Sequence, residues 1–266
     1  LPWMHLSSLT EEGWFSSSRA EALLKSSQRQ EALLEQIKEI LKEKGYGGVD
    51  VDFEYLQPGL AGAYTAFIER LRQELNKLGY TVQVALAPKV SRGQKGLLYE
   101  SHDYAALGRA ANGALLMTYE WGYSAGPPMA VAPLDKVRQV VDYALGEIEA
   151  KKLFLGVPVY GYDWPLPYRQ GATRGVSVAP QEALDLARRQ GAEIQFDETA
   201  QAPWFRYTAA DGREHEVWFE DARSSYAKFR LAAEKGLQGV GLWNLMRPAV
   251  QTYLVLHGGF EIEEVR

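Results

Sequence analysis

From Val49 to Tyr55 the chain alternates apolar and acidic side chains without exception: Val49, Asp50, Val51, Asp52, Phe53, Glu54, Tyr55. A strand places residues i and i+2 on one face, so Asp50, Asp52 and Glu54 share one side while Val49, Val51, Phe53 and Tyr55 share the other. If helices cover the apolar face, the acids point inward, a costly place for three carboxylates. Neighbours on one face lie about 6.5–7 Å apart along a strand, so the acids resist ionising together and at least one stays protonated near neutral pH. A protonated acid beside an ionised one suits cleavage of a glycosidic bond. A solvated edge strand is the bland alternative, set against the rule that polar residues at core positions are errors unless they serve function. A calcium loop would need glycine where Tyr55 stands and a closing acid where Ala61 stands, so it is rejected.

The elements that must position these acids follow from periodicity. Short apolar or β-branched runs alternate with longer amphipathic stretches, the pattern of repeated βα units and a mostly parallel sheet. The strand candidates are Pro2–Leu6, Gly48–Phe53, Thr81–Ala87, Ala114–Tyr119, Leu153–Val159 and Gly239–Leu245. Helices are predicted at Arg19–Lys44, Ala61–Leu78, Tyr104–Ala110, Pro133–Ile148 and Ser224–Lys235. From Pro165 to Asp221 the rhythm changes. A helix-like segment, Pro180–Gln190, precedes alternating runs at Glu193–Phe196, Trp204–Thr208 and Glu214–Phe219, and the Asp211-Gly212 pair between the last two predicts a hairpin. The expected fold is α/β, a TIM (β/α)8-type barrel over 1–164 and 222–266 with a small α+β insertion over 165–221, before the last helix-strand unit. Six candidate strands stand against the eight of a closed barrel: either two more strands are present or the first two βα units are lacking.

Composition narrows the partners. The 266 residues carry 29 Lys+Arg against 34 Asp+Glu, a net charge of −5 spread along the chain, which argues against nucleic acid as ligand. With no cysteine there is no disulfide, thiolate metal site or cysteine nucleophile. No apolar run approaches the roughly 18 residues needed to span a bilayer, and the amino end lacks the basic flank of a signal peptide. Aromatics are plentiful, 15 Tyr and 7 Trp, and amphipathic rings suit sugar surfaces. His5, His102, His215 and His257 fall singly without ligand spacing, so no metal is expected, and the glycines lack phosphate-loop or dinucleotide spacing, so no cofactor is implied. Glu220 and Asp221 before Ser224 and Ser225 read as caps of the following helix.

The acidic run resembles a known family. Gly48-Val49-Asp50-Val51-Asp52-Phe53-Glu54 is similar to the end of the D-x-x-D-x-D-x-E signature on the fourth barrel strand of glycoside hydrolase family 18, the chitinase-like enzymes. The signature's first Asp, which supports the others from behind, falls here on Gly47. Met117-Thr118-Tyr119-Glu120-Trp121 resembles the family's M-x-Y-D at the sixth strand, with Glu120 in place of Asp. Gly156-Val157-Pro158-Val159-Tyr160-Gly161 resembles its seventh strand and Gly241-Leu242-Trp243 its eighth, where a Trp floors a sugar subsite. Residues 119–133 and 214–223 resemble the spore cortex-lytic branch, N-acetylglucosaminidases acting on spore peptidoglycan and usually joined to LysM repeats, none of which is visible here. The likeness runs over nearly all of the chain, and the first strand then corresponds to the family's third.

That resemblance implies a retaining, substrate-assisted reaction at β-1,4 bonds of N-acetylglucosamine, in which the substrate supplies the nucleophile. It implies Glu54 as general acid and base, Asp52 as holder of the sugar's acetamido group, Asp50 as tuner of Asp52, and Tyr119 as donor to the acetamido oxygen. Met117, Glu120, Trp121, Tyr160 and Trp243 are expected to contact the sugar, with Tyr162 and Trp164 as further aromatics near strand ends. The plainer readings are a core tyrosine at 119, a core tryptophan at 243, packing for Met117, and barrel-capping for the other rings. The expected partner is a polysaccharide, peptidoglycan or chitin, acted on by a monomer without nucleic acid or membrane, in the spore coat or cortex or outside the cell. The alternatives are a chitinase, a catalytically impaired carbohydrate-binding barrel, and an inert fragment with open sheet edges.

Overall fold

The computed structural model describes residues 1–260. Its elements follow in the order β1 (Met4–Ser7), α1 (Ser17–Leu24), α2 (Ser27–Lys44), β2 (Gly48–Asp52), α3 (Ala61–Asn76), β3 (Thr81–Leu86), α4 (Tyr104–Ala110), β4 (Gly113–Leu116), α5 (Leu134–Leu145), β5 (Leu153–Pro158), β6 (Gly161–Pro165), β7 (Val176–Val178), α6 (Pro180–Gln190), β8 (Gln195–Asp197), β9 (Ala202–Thr208), β10 (Glu214–Trp218), α7 (Ala222–Glu234), β11 (Gly239–Trp243) and α8 (Val250–Gly259). Two compact units share them: residues 1–117 with 140–154, and residues 118–139 with 155–260. The last expected barrel segment, 222–266, ends in residues 261–266, which lie outside the described residues.

In the first unit β1, β2, β3 and β4 pair in parallel, with His5 opposite Asp50, Val49 opposite Val82, and Val84 opposite Ala114. Parallel strands buried on both faces carry near-continuous apolar runs, and Val49, Val51, Val82, Val84 and Leu86 are fully buried. Helix α3 lays Tyr64, Phe67, Ile68, Leu71 and Leu75 into this core, the i, i+3, i+4, i+7 spacing of an amphipathic helix. Close packing also explains Gly48, whose absent Cβ would lie 2.3 Å from the Thr81 carbonyl oxygen of the paired strand.

The single helix expected over Arg19–Lys44 is two. Helix α1 ends at Leu24, capped by Lys25, and α2 starts after Ser26, whose backbone is extended and whose Oγ accepts the Arg29 N–H at 3.3 Å. The fourth strand is shorter than expected, ending at Leu116, so Met117–Tyr119 continue as loop. Strands β6 and β7 and helix α8 had no counterpart in the sequence reading. The β2 strand ends at Asp52, and Tyr55 does not stay on the apolar face: it is exposed, with φ +54°.

In the second unit, β6 to β10 form a five-stranded antiparallel sheet in the order β7-β6-β10-β9-β8. The β9–β10 connection is the expected hairpin, with Gly212 at φ +81° and Ala209 N–H bonded to Arg213 O at 2.8 Å. One face buries Phe205, Val217 and Phe219 against Ala183 and Ala187 of α6. Helix α6 opens with Pro180 in its first turn and Glu182 accepting the Ala179 N–H at 2.7 Å, and it closes on left-handed Gly191. The same unit holds β11 beside β5; Val159 N–H bonds to Trp243 O at 2.8 Å. Every residue of β5 except Phe154 is buried, whereas all of β11 keeps part of its surface open.

Asp221 caps α7 as expected, accepting Ser224 N–H at 3.0 Å while its own N–H reaches Ser224 Oγ at 2.8 Å. Glu220 does not: it is fully buried and takes a 2.8 Å hydrogen bond from the equally buried Lys228. Burial raises the Glu220 pKa, against the lowering effect of that lysine. Breaking such a pair leaves one charge stranded, whereas replacing both partners is far milder. Lys228→Met is therefore expected to lower stability by about 3–5 kcal/mol, and the double variant Lys228→Met/Glu220→Leu to recover most of it, read from urea unfolding midpoints.

Candidate active site

The acids of β2 occupy the first unit. Asp50 and Asp52 both lie within the parallel sheet, Asp50 partly buried and Asp52 only 8% exposed. Glu54 follows two residues beyond the strand's last residue, partly buried, at the carboxyl end where parallel sheets of this class carry their chemistry. Asp50 Oδ1 and Asp52 Oδ1 are buried without a hydrogen-bond partner among the described residues. Burial, helped by the charge of Asp50 and opposed by His5, raises the Asp52 pKa from 3.8 to about 6. Asp52 thus holds its proton to a higher pH than an ordinary carboxyl, though not through pH 7, and the physical cause is a carboxyl removed from water beside a second acid.

His5, read from the sequence as a lone histidine, is part of this cluster. Its Nδ1 lies 3.0 Å from Asp50 Oδ2 and its Nε2 3.8 Å from Asp52 Oδ2. The hydrogen bond to Asp50 is the main reason its pKa is raised above 6.5. The contact arises from the β1–β2 register, which sets His5 opposite Asp50; a sequence separation of 45 residues gave no local sign of it.

A second histidine fixes the peptide before Glu54. His102 is buried between the ends of two strands, where its Nδ1 accepts the Ala87 N–H at 2.9 Å. Its Nε2 must then carry the proton, donated to the Phe53 carbonyl at 3.0 Å. Burial lowers its pKa to about 4, so the ring stays neutral. Tyr64 of α3 packs on this ring and stacks on Phe53, with centroids 5.8 Å apart in both cases. At Gly47, the position of the signature's first Asp, an added Cβ would sit close to Leu1 at 3.1 Å and Trp3 Nε1 at 3.4 Å.

The second unit holds its own cluster. Glu120 sits at φ +65° just past β4, and its Oε1 accepts hydrogen bonds from Tyr160 at 2.5 Å and Tyr162 at 3.0 Å. Loss of water contact raises its pKa, against the two phenols, and both phenols are raised well above the usual tyrosine range. Tyr119 is partly buried next to it, and Thr118 anchors this segment by donating to Gly156 O at 2.7 Å. Trp121 is partly buried, and its N–H bonds to Val131 O at 3.0 Å. Tyr162 was only weakly singled out, yet it shares Glu120 with Tyr160. Trp243 is no core residue, since it is 47% exposed, whereas Trp164 is fully buried in the antiparallel sheet. Met117 belongs to the first unit; it is buried, its N–H bonded to Leu86 O at 2.9 Å, as a packing residue would be. A groove of about 520 Å³ among Leu134, Phe196, Arg223 and Tyr226 contains none of the expected site residues.

Among the described residues no group of three His, Asp or Glu could hold a metal ion, and no helix is long and apolar enough to cross a membrane.

Comparison with known proteins agrees with these motifs. The model of Glycosyl hydrolases family 18 matches residues 12–247. The "Cortical fragment-lytic enzyme" of Bacillus subtilis (strain 168) is 46% identical over 248 residues, covering 93% of this chain and 58% of that protein. The crystal structure of the spore cortex-lytic enzyme SleL of Bacillus megaterium QM B1551 superposes with a TM-score of 0.95 at 42% identity, over 99% of this chain and 60% of that one. A chitinase from Chromobacterium violaceum ATCC 12472 superposes with a TM-score of 0.89 at 28% identity, over 97% of this chain and 80% of that one. The chain thus spans a little under three fifths of the curated relatives it matches, and its α/β fold is TIM-barrel-like. With the family model matching residues 12–247 and a relative 46% identical over 93% of this sequence, the chain belongs to glycosyl hydrolase family 18.

Proposed function

We propose that this chain cleaves β-1,4 bonds of N-acetylglucosamine in spore cortex peptidoglycan, by a retaining reaction in which the substrate's acetamido group is the nucleophile. One observation carries the reading: a desolvated Asp50–Asp52 pair inside a parallel sheet, leading to Glu54 at the carboxyl end of the strand. Carboxylates drawn out of water cost stability even beside a histidine, and such cost concentrates where chemistry uses it. Glu54 is the group that protonates the leaving oxygen and then takes a proton from water, the two halves of general acid–base catalysis. Asp52 is proposed to hold the acetamido N–H as the ring closes onto the anomeric carbon, with Asp50 setting its charge. Tyr119 is assigned the acetamido oxygen, and Glu120, Trp121, Tyr160, Trp243 and Met117 are assigned to the sugar and its surroundings. Similarity to cortex-lytic relatives favours peptidoglycan and a place in the spore cortex; similarity to the Chromobacterium violaceum protein keeps chitin as the second reading.

We also read the sheet as two βα units short of the eight-stranded barrel, since β11 keeps all of its residues partly open where β5 is buried. The boundaries 1–164, 165–221 and 222–266 stand as our proposed division into barrel, insertion and barrel, and a monomer as our proposed state.

Three outcomes are expected. Glu54→Gln should lower turnover by about 10²–10⁴-fold while retaining affinity for chitin oligosaccharides in calorimetry; unchanged turnover would remove Glu54 as the acid. Mass spectrometry of digested cortex fragments should show muropeptides ending in reducing N-acetylglucosamine, with little release of chitobiose from chitin oligosaccharides. The reverse product pattern would assign a chitinase. A raised carboxyl pKa means the native state binds more protons than the unfolded one between pH 3.8 and about 6, so ionising Asp52 destabilises the fold as pH rises through that window. The raised His5 pKa acts in the same direction above pH 6.5. Asp52→Asn should therefore abolish turnover yet stabilise the chain at pH 7 by about 1–3 kcal/mol, with the gain vanishing at pH 4 in thermal melts.

A further inference from the structure

The acid strand lacks one member of its family's signature and gains a base from the strand beside it. At position 47 there is only a glycine, with the Leu1 and Trp3 side chains close by. Across from the acids, β1 offers His5, in register with Asp50 and bonded to it at 3.0 Å. The imidazole spans the pair, because its other nitrogen lies 3.8 Å from Asp52 Oδ2. That second distance is too long for a direct hydrogen bond, so the two carboxylates are treated unequally. Asp50 receives a donor and Asp52 receives only the field of the ring. Each acid also keeps one buried oxygen with no partner among the described residues.

Resting on the function proposed above, we infer that His5 is a positioning residue of the acid strand, bonded to Asp50 across the β1–β2 register so that Asp52, the deeper carboxyl and the one left without a direct hydrogen bond from the ring, is the member of the pair that takes up a proton. The chemical logic is local. A protonated imidazole donating to a carboxylate stabilises the anion more than a neutral donor does. Asp52 lies more deeply buried, its side chain 12% exposed against 23% for Asp50, and the deeper carboxyl is the one for which charge is costlier. The titratable groups bearing on His5 are Asp50 and Asp52 of β2. Those bearing on Asp52 are His5 and Asp50, and Tyr64 of α3 is a phenol that feels all three acids.

The ring's titration is the direct test, and it needs no turnover. In the intact chain the His5 resonances, assigned by their loss in His5→Asn, should titrate above the ordinary histidine midpoint, and Asp50→Asn should return that midpoint to 6.5 or below. A His5 midpoint that does not respond to Asp50→Asn overturns the proposal, whether or not the protein cleaves anything. Kinetics then tests the consequence. Asn carries its amide nitrogen on the same carbon position as imidazole Nδ1, so His5→Asn keeps a donor and removes the charge. Its acidic limb in kcat/KM against pH should move by half a unit or more toward neutrality, because the carboxylates lose a cation. Equal losses at every pH, with the limb unmoved and the melting temperature lowered, would reduce His5 to a structural residue and overturn the inference. No turnover by the unmodified chain on either cortex fragments or chitin oligosaccharides would refute the proposed function, leaving the ring titration to decide the role of His5.

Discussion

Carboxylates placed inside a parallel sheet are the constraint from which the rest of the molecule is arranged. Val49, Val51 and Phe53 anchor β2 so firmly in apolar surroundings that the strand cannot turn its acids to water without exposing them. Sheet periodicity then commits Asp50 and Asp52 to the other face, where ionising Asp52 is costly. Everything nearby accommodates that charge problem. A histidine approaches from β1, Gly48 lets β3 come close enough to complete the pairing, and the carboxyl end of the strand is tied to a neutral histidine rather than to another charge.

The second unit solves a related problem by different means. Glu120 is held not by a cation but by two phenols, whose hydrogen bonds favour its ionised form while loss of water opposes it. Tyr160 and Tyr162 meet edge to face, with centroids 5.8 Å apart, so each ring fixes the other's orientation as well as the carboxylate's. Such a carboxylate is rigid without being locked into an ion pair, and it remains able to accept from a further donor.

How much of this could be read in the sequence depended on the range of the signal. The acid strand was legible because a period of two fixes the face of each residue, and because acids on an inward face have few innocent explanations. Helices α4 and α6 matched residue for residue: α4 has Asp103 as its cap, and α6 has its proline start and glycine stop. The break between α1 and α2 was missed because the amphipathic period runs through it, although Ser26 is a capping residue and was the available clue. Strand β7 has only three residues, too few for a period, and α8 is apolar around its circumference and ends in two glycines, so neither announced itself. His5 and Tyr162 were undervalued for a different reason. Their importance lies in partners 45 and 42 residues away, brought close by strand register and by a loop residue at positive φ.

The neutral His102 has a consequence for how the acid end of the strand behaves as a framework. Its two hydrogen bonds engage only backbone groups, the Ala87 amide and the Phe53 carbonyl. The peptide plane that launches residue 54 is therefore set by neighbours that make no demand on what side chain residue 54 carries. Because burial lowers the ring's pKa to about 4, the ring is neutral by the time Asp52 ionises near pH 6, and this mounting does not loosen as that acid loses its proton. Position 54 is in that sense socketed: its backbone is held by a ring that takes no part in the acids' own protonation near pH 6.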